Sequence, residues 1–177
     1  ITGRVVLYVG RLHPIKDVDI LLRAYAHITN NLQNIALAIV GHGQEGPRLK
    51  KLAKDLNISD KTLFIDDLAQ PELPRVYRSA HMLVLPSLSE GQPKVVLEAL
   101  AQGTPVVVSK IKQLEEFFHL YPWVRTFKPH SVESLSKAIL ETVNTDFSKP
   151  RRPCIEEYSE EKVLQAECEF YFEVLQR

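Results

Sequence analysis

Apolar residues in this chain come as short unbroken runs, separated by segments with a helical period. "RVVLYVG" (Arg4–Gly10), "IALAIVG" (Ile35–Gly41), "HMLVLPS" (His81–Ser87) and "TPVVVS" (Thr104–Ser109) are continuous rather than alternating. Runs of that kind suit parallel strands covered on both faces. Between them, Val18, Leu21, Leu22, Tyr25 and Ile28 share one helical face, and so do Leu49, Leu52, Ala53 and Leu56. This alternation predicts an α/β fold, a three-layer doubly wound (Rossmann-like) parallel sheet.

Further elements follow from weaker patterns. "KTLFIDD" (Lys61–Asp67) reads as an extra strand, and "PELPRVYRSA" (Pro71–Ala80) as a short helix opened by proline. "LEEFFHL" (Leu114–Leu120) reads as a helix and "WVRTF" (Trp123–Phe127) as a strand. Ser131 caps a predicted helix over "SVESLSKAILETVN". "KPRRPCIEEYS" (Lys149–Ser159) reads as a connector, and residues 160–176 as a last amphipathic helix. The expected organisation is one Rossmann-like domain over 1–150, with 151–177 as connector and helix packing on the same domain. The chain opens at Ile1 and passes almost directly into a strand, so an upstream part is expected to be missing.

Glycines sharpen this picture. Of seven, Gly10, Gly41, Gly43 and Gly91 fall at or just past the carboxyl ends of predicted strands. Ligands of open α/β sheets bind at that rim. Glycine there admits a ligand to the backbone, although a tight turn also explains any one of them.

Composition narrows the function class. Hydrophobic residues make up 45% and charged residues 25% of 177 residues, as in an ordinary globular protein. No eighteen-residue apolar window appears, so no membrane span is expected. A net charge of zero argues against a general nucleic-acid binder. Cys154 and Cys168 have no metal-binding spacing, which suits a reducing compartment. Residues 1–54 nevertheless carry eight Lys/Arg against three acids, a bias that could favour a small anionic ligand, although Lys50, Lys51 and Lys54 read as a solvated helix face.

The candidate chemistry sits in the rim loops. In "VGRLHPIKDVDILL", Arg11 and Lys16 flank a helix start, where a guanidinium fork and an ammonium suit a diphosphate. "VGHGQEGPRL" is glycine-rich but matches neither a dinucleotide fingerprint nor a phosphate loop. His42 within it reads first as a solvated loop histidine. In "SEGQPKVVLEAL", Glu90 lies in the loop and Glu98 about two turns into the helix that follows. Pro93 reads as the first helical residue, with Val95, Val96, Ala99 and Leu100 buried. A carboxylate at Glu98 can accept both hydrogen bonds of a vicinal diol. Backbone N–H groups of Gly91, Gln92 and Lys94 could grip hydroxyls or phosphate oxygens. The two carboxylates could also serve acid/base hydrolysis. A metal site lacks a nearby His or Asp to complete it.

As a set, "VGRLHPIK…LLRAYA", "IVGHGQEGPRL", "FIDDLAQPELPRVYRSAHMLVLPS" and "SEGQPKVVLEALAQGTPVV" resembles the donor-binding, C-terminal domain of retaining GT-B glycosyltransferases of the glycosyl transferases group 1 family. The likeness is collinear from about residue 5 to 109 and fades over 110–150. It implies a retaining hexosyltransferase whose donor, a nucleotide-diphospho-sugar, is a substrate, with no cofactor and no metal. It implies that Arg11 and Lys16 neutralise the diphosphate and that Glu98 holds the ribose hydroxyls. Glu90 would face the donor sugar, helped by Gly91, Gln92, Pro93, Lys94 and Val95. Gly10 and Gly43 would approach the donor, and Leu68 would offer backbone to the base. The acceptor, a glycan or a lipid-linked glycan in surface polysaccharide or glycoconjugate synthesis, would bind a missing N-terminal domain. This fragment alone would then be inactive. The implied location is the cytoplasm, where nucleotide-sugars are made, with peripheral attachment to the inner face of the membrane for a lipid-linked acceptor.

This chain departs from the family pattern at four places. Asp17 and Asp66 stand where glycine is usual, Gln92-Pro93 replaces Phe-Gly, and "KIKQLEE" replaces a glycine pair after the "TPVVVS" strand. Among rival readings, a receiver domain needs an acidic cluster that the Gly10-Arg11 strand end lacks. A nicotinamide dehydrogenase needs the absent fingerprint. A nucleotide-sugar epimerase or a non-catalytic sugar-nucleotide-binding module stays open as the alternative.

Overall fold

The computed structural model describes residues 4–29, 34–91, 93–115 and 123–145. Six parallel strands form one sheet: β1 (Arg4–Val9), β2 (Ile35–Val40), β3 (Thr62–Ile65), β4 (Met82–Leu85), β5 (Val106–Ser109) and β6 (Val124–Phe127). Their order is β3-β2-β1-β4-β5-β6. Both expected weaker strands, from "KTLFIDD" and "WVRTF", are present as β3 and β6.

The sheet is buried on both faces because its runs are apolar at odd and even positions alike. Val6 and Tyr8 of β1 enter one core, with α1 (Val18–Thr29), α2 (Gly46–Asp55) and the helix Val132–Val143. Leu7 and Val9 enter the other, with α3 (Leu73–Ser79) and α4 (Lys94–Ala101). We number Val132–Val143 as α5. The predicted face of α1 is buried throughout, and Leu49 and Ala53 bury α2. Ser131 caps α5 as expected, its hydroxyl accepting the Ser134 N–H at 3.1 Å.

Three local expectations need correcting. Pro93 is the N-cap of α4 rather than its first helical residue. Its φ of −81° and ψ of 66° lie outside the helix, and its carbonyl accepts the Val96 N–H. Val96, Ala99 and Leu100 are buried, but Val95 is only half-buried. The segment from Pro71 is not one helix. A 3-10 turn over Gln70–Glu72 leads into α3, with Pro74 in its first turn. Of the predicted helix over Leu114–Leu120, a 3-10 turn at Lys112–Leu114 is described and positions 116–122 lie outside the described residues. The connector and last helix, with Cys154 and Cys168, lie outside them too.

The strand order reverses between β1 and β4. Chain running from β1 moves toward β3, while chain running from β4 moves toward β6. The loops that leave β1 and β4 therefore part in opposite directions and frame a crevice at the carboxyl rim.

Candidate functional site

Lys16 and Glu90 are 74 positions apart in sequence and meet across this crevice. The Lys16 ammonium donates to both Glu90 oxygens, at 2.7 and 2.9 Å. The carboxylate side chain is 7% exposed and the lysine 23%. The two loops are also joined through backbone, Leu88 N–H donating to the Ile15 carbonyl at 2.8 Å. The expected cation and carboxylate are thus one device, held at the switch between β1 and β4.

Under this pair lies Tyr8, fully buried, whose hydroxyl donates to the Arg11 carbonyl at 3.0 Å. Burial, and then the Glu90 charge, push its phenol well above the ordinary value, so it remains a donor. The Arg11 side chain is exposed at the rim, as is Lys94 at the first turn of α4.

Glu98 lies apart from this pair, inside α4. It accepts a 2.7 Å hydrogen bond from the Tyr77 hydroxyl of α3. Beside them an open cleft of ≈ 230 Å³ runs between α3 and α4, lined by Gln70, Leu73, Glu98 and Gln102 among others. The two glutamates therefore have separate partners, and they do not form an acid/base couple in this structure.

The glycines divide. A methyl at Gly41 would run into the Gly10 carbonyl, and one at Gly43 into the Leu12 carbonyl. The first two rim loops pack backbone to backbone there, with Leu12 N–H donating to the His42 carbonyl at 2.9 Å. Packing accounts for both glycines without a ligand. A methyl at Gly91 meets nothing within 4 Å. No steric need holds glycine at that exposed position. Leu68 is half-buried between β3 and α3, on the core that holds α4. Gln92 lies outside the described residues.

The departures from the family pattern have local reasons. Asp17 takes a left-handed conformation, φ 46°, ψ 43°, which explains why glycine suits that position. Its carboxylate turns to His130, at 3.5 Å, rather than to the Lys16–Glu90 pair. Burial raises its pKa, opposed by the His130 charge. Asp66 needs no left-handed backbone and reaches Lys50 at 3.0 Å on the surface. Gln113, in the segment that replaces the glycine pair, lies 3.5 Å from the Ser89 hydroxyl, next to Glu90. The His42 ring faces the Asp66 carbonyl at 3.2 Å and is exposed.

Sequence reasoning missed Tyr8, Tyr77 and Gln113. A tyrosine in a fully buried run is itself a signal, because its hydroxyl must find a partner inside. Among the described residues, no three His, Cys, Asp or Glu side chains gather as they would for a metal. No helix among them is long and apolar enough to cross a membrane.

The family profile described as Glycosyl transferases group 1 matches residues 2–162. The chain belongs to the glycosyl transferases group 1 family. A curated relative, the D-inositol 3-phosphate glycosyltransferase of Mycolicibacterium smegmatis, is 40% identical over 109 residues, 61% of this chain and 25% of that protein. This group 1 chain thus spans about a quarter of the length of the curated relatives it matches. Among solved structures, sucrose-phosphate synthase from Thermosynechococcus elongatus superposes with a TM-score of 0.85 at 25% identity, over 99% of this chain and 46% of that one. The C-terminal domain of a group 1 family protein from Francisella tularensis shares the fold, with a TM-score of 0.74 at 21% identity, over 86% of this chain and 81% of that one. The group 1 chain accordingly has the Rossmann-like fold of one half of a GT-B glycosyltransferase, and the epimerase alternative is not favoured.

Proposed function

We propose that this chain is the donor-binding half of a retaining hexosyltransferase, and that it holds a nucleotide-diphospho-sugar at the β1/β4 crevice. The observation that carries the reading is the Lys16–Glu90 pair at the switch point, with Arg11 exposed in the same loop as Lys16. On arrival of a diphosphate, Lys16 exchanges one anion for another. Glu90 is then released to accept from a hydroxyl of the donor sugar. Arg11 and Lys16 stabilise charge as it develops on the leaving phosphate, so no protein group need carry a proton. The acceptor attacks the anomeric carbon from the face the phosphate leaves, and the phosphate oxygen takes its proton. The carbon–oxygen bond to phosphate breaks as the new glycosidic bond forms, with configuration retained.

Glu98 holds the ribose diol, Leu68 meets the base through backbone, and Gly91, Pro93, Lys94 and Val95 line the sugar end. Gly10 approaches the diphosphate by its backbone, whereas Gly43 is assigned to loop packing first. No metal is needed, since two cations already face the diphosphate. The acceptor is a glycan or lipid-linked glycan, bound by an N-terminal domain of the full-length protein. That protein works in the cytoplasm, at the inner membrane face where the acceptor is lipid-linked.

The test is a panel of UDP-, GDP- and ADP-hexoses with full-length protein and glycan acceptors, with the product linkage read by NMR. Transfer with the donor's anomeric configuration is expected. Donor isomerisation without transfer, or an inverted linkage, would overturn the reading.

A further inference from the structure

The Tyr77–Glu98 contact is built more firmly than a chance surface bond. Tyr77 is 1% exposed, so its ring cannot turn its hydroxyl to solvent. Its backbone is held from behind, the buried Thr104 hydroxyl donating to the Tyr77 carbonyl at 2.7 Å. The contact joins α3 to α4 at the cleft that both line. Burial, and then the Glu98 hydrogen bond and charge, push the phenol far above its ordinary pKa. Tyr77 therefore keeps its proton and donates a hydrogen bond to Glu98 rather than competing as an anion.

A carboxylate offers about four lone-pair sites on two oxygens. Tyr77 occupies one, on Oε2. That fixes the carboxylate plane and leaves Oε1 and the remaining Oε2 lone pair for two further donors. Two adjacent hydroxyls of a ribose supply that pair of donors. An unrestrained glutamate on a helix surface would lose side-chain entropy on each binding event. Here the tyrosine has already restrained it.

We propose that Tyr77 is a positioning residue which holds Glu98 in the orientation that reads a ribose 2′,3′-diol, and so sets the preference for ribonucleotide over dideoxyribonucleotide donors. The proposal rests on the assignment of Glu98 to the ribose.

The experiment titrates full-length protein with UDP, GDP and ADP by calorimetry. It then repeats the titration with the 2′,3′-dideoxy counterpart of the tightest binder. Wild type is expected to prefer the ribonucleotide by roughly tenfold or more, the worth of hydrogen bonds to a charged group. Glu98→Ala abolishes the preference. Tyr77→Phe, which removes only the hydroxyl, lowers the preference several-fold while affinity for the dideoxy compound stays unchanged. A purely structural role would weaken both ligands equally, and that result overturns the proposal. So does a Tyr77→Phe protein with wild-type preference. If Glu98→Ala keeps the wild-type preference, or no ribonucleotide is preferred, the ribose assignment fails and the proposal falls with it. Should Tyr77→Phe not fold, Glu98→Gln reads the pair from the other side. Tyr77 then holds the amide oxygen and turns the amide nitrogen to the diol, whose hydroxyls must accept from a neutral group instead of donating to a charged one, and the preference falls. Its retention overturns the proposal.

Discussion

Replacing Lys16 by methionine removes a charge and keeps most of the side-chain volume. It strands the Glu90 carboxylate, which is 7% exposed and has no other cation at hydrogen-bonding distance among the described residues. At 2.7–2.9 Å the gross attraction of the pair is about 6 kcal/mol for an effective dielectric near 20. Desolvation cancels most of that, and the 23% exposure of Lys16 screens more. The unpaired, buried carboxylate should still cost about 2–3 kcal/mol. Glu90→Gln should cost only about 1 kcal/mol, because the freed ammonium can swing toward water. In the double variant no charge is stranded, so it should lie near the milder single, with a coupling of about 2–3 kcal/mol. For a domain of this size each kcal/mol moves the melting temperature by about 2–4 °C. Lys16→Met should therefore melt about 5–10 °C below wild type, and adding Glu90→Gln should recover most of the loss. The assay is chemical and thermal unfolding of the four proteins by circular dichroism. Losses that add to within about 0.5 kcal/mol would refute the pairing. In the full-length protein neither single nor double variant should retain transfer, so stability and activity should part company here.

Other substitutions separate packing from ligand roles. Gly43→Ala should cost about 2 kcal/mol or more in thermal unfolding, because the methyl meets the Leu12 carbonyl. Gly91→Ala, with open space around it, should change stability by under about 0.5 kcal/mol. Asp17→Asn should stabilise the protein near neutral pH, because it removes a charge that burial disfavours. Burial raises the Asp17 pKa, so the cost of its charge grows as pH rises from the unfolded value of 3.8 to the folded value and is complete above it; the gain should vanish below 3.8. Melting curves at pH 3 and pH 7 check both ends. His81 is shifted the other way: burial, then Arg4, lower its pKa from 6.5. The unfolded chain binds the proton first, so stability should fall as pH drops below 6.5 toward the folded value. Denaturation midpoints for His81→Gln should lack that acid-side loss.

The sheet was legible where apolar runs are continuous. β1, β2, β4 and β5 are buried on both faces, and burial writes itself into nearly every position. β6 was faint because it is a four-residue edge strand, with Arg125 and Thr126 at its centre. The rim loops were legible as loops, but the reasons for their glycines were not. Gly41 and Gly43 serve contacts with carbonyls some thirty positions earlier, which no local pattern reveals. The same holds for the site. Glu90 and Lys16 were each visible as candidates, but their contact depends on the reversal of strand order at β1 and β4. Tyr77 was invisible as a site residue because its role depends on which face of α4 meets α3. Asp17 stood out as a misplaced charge, and only its left-handed backbone explains why the position is special.

The proposed donor site is the β1/β4 crevice, with Lys16 and Glu90 meeting across it and Glu98 on α4 at the neighbouring α3/α4 cleft. Calorimetric titration of UDP-, GDP- and ADP-hexoses into the full-length protein tests it most directly, with Lys16→Met and Glu98→Ala alongside. One donor should saturate the wild-type protein at one site, and each variant should weaken it by roughly tenfold or more. Binding that both variants leave unchanged, or no binding of any donor, would contradict the account.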